Sequence, residues 1–112
     1  MTAEGFRQLA LRLPEAHESA HRDHPDFRVG KKVFATLGYP DGRWGVLKLT
    51  VAQQAQWVAE HPKVFVPVRG GWGLRGSTQV RLRSATRVIL EPALAAAWTN
   101  IAPASLRKRL HA

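Results

Sequence analysis

The chain has 112 residues, 45% hydrophobic and 22% charged, which is enough for one folded domain (1–112) and leaves no room for a second without disulfides. It has no cysteine, so a disulfide scaffold, a thiol nucleophile, an iron–sulfur centre and a thiolate zinc site are excluded. Seventeen Lys and Arg against eight Asp and Glu leave a net charge of +9, a field that favours polyanions without choosing among nucleic acid, an anionic membrane surface and an acidic protein.

Residues 2–13 read as a helix. Phe6, Leu9, Ala10 and Leu13 make one apolar stripe, Thr2 is a candidate N-cap, and Pro14 stops the segment. Residues 16–21 fit more than one state, a short strand among them. Phe27-Arg28-Val29 reads as a strand entering a tight turn at Gly30-Lys31. From Lys32 to Leu37 the alternation puts Val33, Ala35 and Leu37 on one face and Lys32, Phe34 and Thr36 on the other. Pro40-Asp41-Gly42 is a turn. A further strand follows, with Gly45, Leu47 and Leu49 opposed to Trp44, Val46 and Lys48.

Thr50-x-x-Gln53 fits a capping box, opening a helix with its stripe on Val51, Ala55 and Val58 and its end at Pro62. Residues 64–68 suit a strand that Pro67 confines to an edge. Residues 69–76 hold four glycines and read as a loop. Thr78 to Arg83 is a strand, Val80 and Leu82 alternating with Gln79, Arg81 and Arg83. Residues 84–91 give no clear signal. Pro92 suits the first turn of a helix reaching about Asn100, with Leu94, Ala95, Trp98 and Ile101 facing inward. After Pro103 comes a basic tail, Leu106-Arg107-Lys108-Arg109-Leu110, which could bind polyanions as a flexible end. Hairpin-length connections make the sheet antiparallel and the class α+β.

Several segments taken in order resemble the MmcQ/YjbR family of small bacterial proteins. They are His24-Pro25-Asp26-Phe27-Arg28-Val29, Lys32-Val33-Phe34-Ala35-Thr36-Leu37, Trp44-Gly45-Val46-Leu47-Lys48-Leu49 and Phe65-x-Pro67. The set closes with Trp72-Gly73-x-x-Gly76-x-Thr78-x-Val80-x-Leu82 and the Trp98…Ala102-Pro103 ending. The resemblance spans roughly residues 3–110. One departure is the stretch from Ser84 to Pro92, where Arg87 and the proline interrupt an acidic helix start. The resemblance implies a frataxin-like or secretion-chaperone-like fold, an antiparallel sheet with helices on one face. It also implies a turn in which Trp72 folds back on the core. Members are labelled DNA-binding largely by analogy of fold, and the family brings no agreed catalytic residues.

Charge and alternation then locate a surface. Residues 1–56 carry eight basic and six acidic side chains, whereas residues 57–112 carry nine and two, so the excess lies in the second half. If Val33, Ala35, Leu37, Leu47, Leu49, Val80 and Leu82 face the helices, parity turns Arg28, Lys32, Phe34, Trp44, Lys48, Arg81 and Arg83 to the other side. Cations that neutralise phosphates, interleaved with rings that stack on bases, are what nucleic acid recognition requires. Arg69 and Arg75 flank the glycine loop, which is neither a P-loop nor a dinucleotide fingerprint. His17, His21 and His24 lie near Asp23 and Asp26 without the periodicity that would converge them on a metal, and Pro25 holds His24 extended. No Ser/His/Asp order and no cofactor signature stands out.

The expectation is therefore a cytoplasmic, non-enzymatic protein needing no cofactor or metal. It binds nucleic acid, duplex DNA in the first instance, chiefly through phosphates and with little sequence preference. The nucleic-acid-binding residues are Arg28, Lys32, Trp44, Lys48, Arg69, Arg75, Arg81 and Arg83. The alternative is a protein-interaction or chaperone-like module that binds extended polypeptide.

Overall fold

The computed structural model describes residues 1–110. Six antiparallel strands form one sheet: β1 (His17–His21), β2 (His24–Val29), β3 (Lys32–Leu37), β4 (Trp44–Lys48), β5 (Phe65–Pro67) and β6 (Ser77–Arg81), in the order β1-β2-β3-β4-β6-β5. Five helices accompany them: α1 (Ala3–Leu11), α2 (Val51–Glu60), α3 (Gly71–Leu74), α4 (Arg87–Ile101) and α5 (Ala104–Leu110). The expected α+β class and antiparallel sheet are both present.

The helices cover one side of the sheet. Phe6 and Leu9 of α1, Leu90, Leu94 and Trp98 of α4, and the sheet residues Phe27, Ala35, Leu47, Phe65 and Val80 close a single core. Its largest member, Trp98, is fully buried, and its indole N–H donates to the Pro14 carbonyl at 3.0 Å. Thr2 caps α1 by accepting from Gly5 N. The Thr50–Gln53 capping box closes in both directions, at 3.1 and 2.9 Å. The inward side of α2 keeps only part of the expected stripe: Val58 packs on the core, but Val51, 55% exposed, and Ala55 face outward, and Trp57 joins Val58, edge-on to Phe65.

The sheet departs from simple alternation at one place. Phe27 pairs with Ala35 and Arg28 with Val33, so Phe34 is an extra residue on β3, a β-bulge. Phe34 is fully buried, whereas the expectation set it beside Lys32 on the far face. The extra residue also reverses the parity of everything before it in β3. Val33, expected in the core, lies half-buried on the open face, and Lys32 swings to the helix side near Ile101 and Pro103. Burying a phenyl ring outweighs one regular ladder position, since its burial contributes roughly 1.5–3 kcal/mol.

Two tight hairpins frame this region. Gly30 takes φ +61 in the two-residue link between β2 and β3, a conformation glycine adopts without strain. The link between β1 and β2 is also two residues, Arg22 and Asp23, with φ +49 and +68. Two successive positive values define a type I′ turn made without glycine.

Beyond the sheet, β6 ends at Arg81, and Leu82–Ser84 form a 3₁₀ turn in place of the expected continuing strand. Helix α4 begins at Arg87, well before Pro92, because Thr86 caps it by accepting from Ile89 N at 3.3 Å. Pro92 therefore sits inside the helix, on an exposed side where the carbonyl it cannot satisfy meets water. The basic end of the chain is the ordered helix α5, with Arg109 paired to Glu15 at 3.0 Å.

Candidate nucleic-acid interface

The side of the sheet away from the helices is uncovered. Strand alternation turns Arg28, Val33, Thr36, Val46, Lys48, Ser77, Gln79 and Arg81 onto it. The loop Gly38–Arg43 and the α3 segment rise at its two ends, so the face is concave. The resulting basin has a volume of about 690 Å³. Val33, Val46 and Val68 line its floor with Thr36. His21, Arg22, His24 and Tyr39 border one end, Lys48, Trp72 and Ser77 the other. An apolar floor with a cationic and aromatic rim suits a planar ring joined to an anion.

The expected binding residues divide into three groups. Arg28 and Arg81 lie on the open face but are engaged internally. Arg28 grips Asp26 with two parallel bonds of 2.8 and 2.9 Å. Asp26 is 1% exposed, so its charge is compensated within the protein, and the carboxylate raises the Arg28 pKa above its ordinary value. Arg81 donates to the Lys63 carbonyl at 3.1 Å, and its guanidinium covers the Trp44 ring at 4.9 Å. Trp44 is half-buried beneath it and has no free face on that side.

Lys48, Arg69 and Arg75 form the second group. All three are exposed, and among the described residues their side chains make no ion pair. Lys48 and Arg75 both lean over the ring of Trp72, at 5.6 and 5.8 Å from its centroid. Lys32 and Arg83 form the third group. The bulge removes Lys32 from the open face, and the 3₁₀ turn takes Arg83 off the sheet.

Trp72 is 60% exposed, against the expectation that it folds back on the core. The cause is local. Gly73 is buried against the chain before α3, and a Cβ there would stand 1.6 Å from the Val68 carbonyl oxygen. Only glycine permits that approach, and it commits the neighbouring indole to the outside. Gln54 of α2 fixes the arrangement: its amide N–H₂ donates to the carbonyls of Gly73 and Ser77, both at 3.0 Å. Neither Gln54 nor Tyr39 was expected at this surface. Tyr39 is 46% exposed and meets His24 edge-on. Of the four glycines of residues 69–76, Gly73 and Gly76 lie where the backbone is packed too closely for a side chain, and they were the available sequence signal.

Among the described residues, no three His, Asp or Glu side chains gather as a metal site would require, and no helix is long and apolar enough to cross a membrane.

The structure of Deinococcus radiodurans protein DR2400, which carries the DUF419 domain, is similar to this one. The TM-score is 0.74 over 98% of this chain and 88% of that chain, at 18% identity. That likeness supports the fold. No curated protein matches the sequence. The family model YjbR matches residues 11–104, most of the chain, and the protein belongs to that family.

Proposed function

We propose that this member of the YjbR family binds nucleic acid on the open face of its sheet, mainly through phosphate contacts and with weak sequence preference. The observation that carries the reading is the group of unpaired cations at one end of the basin. Lys48 and Arg75 stand beside an exposed ring, and Arg69 lies in the adjoining loop. A cation with no internal partner has no charge-pairing bond to give up when it meets a phosphate. Arg28 and Arg81 would first have to leave the Asp26 carboxylate and the Lys63 carbonyl. Binding then falls on three residues rather than on the whole basic surface. Among the described residues no helix-turn-helix or zinc-finger motif stands ready to read base edges, which favours weak specificity.

Replacing Lys48, Arg69 and Arg75 with alanine tests the reading by salt-dependent binding to duplex DNA, single-stranded DNA and heparin in parallel. Each lost phosphate contact lowers the log–log salt slope by about 0.9 on duplex and ~0.7 on single strands. Equal affinity and slope for heparin and DNA in the unaltered protein would reduce the interaction to bulk charge. Unchanged binding by the triple variant would refute it.

A second reading rests on the edge strand β1. All five of its residues are exposed, and it pairs only with β2. It carries no lysine, proline or bulge, the devices that ordinarily blunt an edge. Such an edge accepts an extended polypeptide as a seventh strand. Protection of the Glu18 and Ala20 amides from exchange when a peptide library is added would favour it. Unchanged exchange would count against it.

A further inference from the structure

We infer that Trp72 is a stacking platform for an unpaired base, with Lys48 and Arg75 holding the phosphates on either side, so that the strand accepted here is single rather than duplex. This rests on the nucleic-acid reading and specifies its ligand.

Trp72 is unlike the other tryptophans. Trp98 is in the core, Trp57 packs on Phe65, and Trp44 is half-buried under a guanidinium that is itself hydrogen-bonded. Trp72 alone presents most of its surface to solvent. An exposed indole adds nothing to the core, yet the surrounding backbone is built to hold it there. Gly73 admits the close packing against Val68, and Gln54 bonds both the helix and the start of β6. The backbone that carries the ring is therefore fixed before any ligand arrives, which lowers the ordering cost of binding.

The two cations belong to the same device. At 5.6 and 5.8 Å from the ring centroid they lie at the outer limit of cation–π attraction, on long exposed side chains. A base can displace either one from the ring while the charge stays within reach of the adjoining phosphate. Across the basin Tyr39 offers a second exposed ring, and the valine floor between them suits sugar and base edges better than a phosphate. A duplex cannot use this arrangement. Its base faces are covered by their neighbours, and its phosphates would have to enter a concave surface with an apolar floor. An unpaired strand offers free base faces that stack without regard to sequence.

The test is fluorescence anisotropy with the full chain and four labelled probes: a short oligothymidylate, an oligouridylate, an abasic deoxyribose-phosphate strand of the same length, and a duplex. The unaltered protein should prefer oligothymidylate over the abasic strand by roughly 5–150-fold, the range expected for one stacked base. Trp72→Ala should abolish that preference and leave the abasic strand and duplex unchanged. Trp72→Phe should retain most of it. The uridylate arm separates RNA from DNA as the source of the unpaired base. Melting curves guard against misfolding, and the exposed position predicts none. Equal affinity of the unaltered protein for abasic and base-bearing strands would overturn the stacking platform and leave phosphate binding intact. So would a uniform loss on every probe for Trp72→Ala. Binding of all probes unaffected by the Lys48→Ala, Arg75→Ala double variant would instead overturn the phosphate reading beneath it.

Discussion

Phe34 and Val33 decide between two versions of β3, and a pair of alanine variants separates them. With regular alternation Val33 lies in the core and Phe34 on the open face. In the bulged strand the assignments exchange: Phe34 is fully buried and Val33 half-buried. Phe34→Ala then deletes a buried phenyl ring, and such truncations cost about 3–5 kcal/mol including the cavity. Val33→Ala removes two carbons of a half-buried side chain, about 0.8 kcal/mol at ~0.8 kcal/mol per fully buried methylene. For a domain just over 100 residues, ~4 °C per kcal/mol converts these to falls in Tm of roughly 12–20 °C and about 3 °C. Thermal melts followed by circular dichroism measure both. Total stability is typically ~5–15 kcal/mol, so Phe34→Ala should still fold at low temperature. The reverse order, with Val33→Ala the more damaging, would refute the bulge. It would return Lys32 to the open face and enlarge the candidate interface with it.

Other expectations follow from single observations. Trp98→Ala empties the centre of the core and strands the Pro14 carbonyl, so Tm should drop roughly 12–20 °C; an unchanged melt would mean the indole is not buried. Replacing Arg22-Asp23 by Asn-Gly relieves two positive φ angles and should raise stability by about 1 kcal/mol in denaturant titration. A loss instead would show that the link is not a type I′ turn. Asp41 accepts bonds from the Arg43 side chain and backbone, which lower its pKa from 3.8 to about 2. A pKa depressed on folding gives a contribution that is complete above about pH 4 and lost as pH falls through 2. Carboxyl NMR should show the low midpoint, and Arg43→Ala should bring it back toward 3.8.

How far the sequence reveals this molecule depends on which feature is asked about. Alternation in β4 and β6 and the Thr50–Gln53 box are local signals that tertiary packing did not override, and they place Lys48 and Arg81 on the open face. The bulge left a weaker mark. Val33-Phe34-Ala35 is three consecutive apolar residues, which strict alternation cannot accommodate with one face wet. Strand β1 was ambiguous because its turn is Arg-Asp, a pair without the usual Asn-Gly signature. Helix α4 looked as if it began at Pro92 because proline is commonest in a first turn, yet Thr86 caps it earlier. The exposure of Trp72 was hidden because it depends on a neighbour, the buried Gly73, and on a glutamine from another helix. Pairwise packing of that kind has no periodicity to read.

The two margins of the sheet are unequal, and that inequality limits how copies of the protein can join. β5 is three residues long and ends in Pro67, whose missing N–H leaves little for a partner to grip. β1 offers five exposed residues, and its one carboxylate, Glu18, is paired internally with Arg7. Two molecules joined β1 to β1 about a two-fold axis would extend their sheets into one. That union consumes both receptive margins and leaves a β5 at either end. An association of that kind would close at a pair, so the geometry of the two margins gives no route to a fibre.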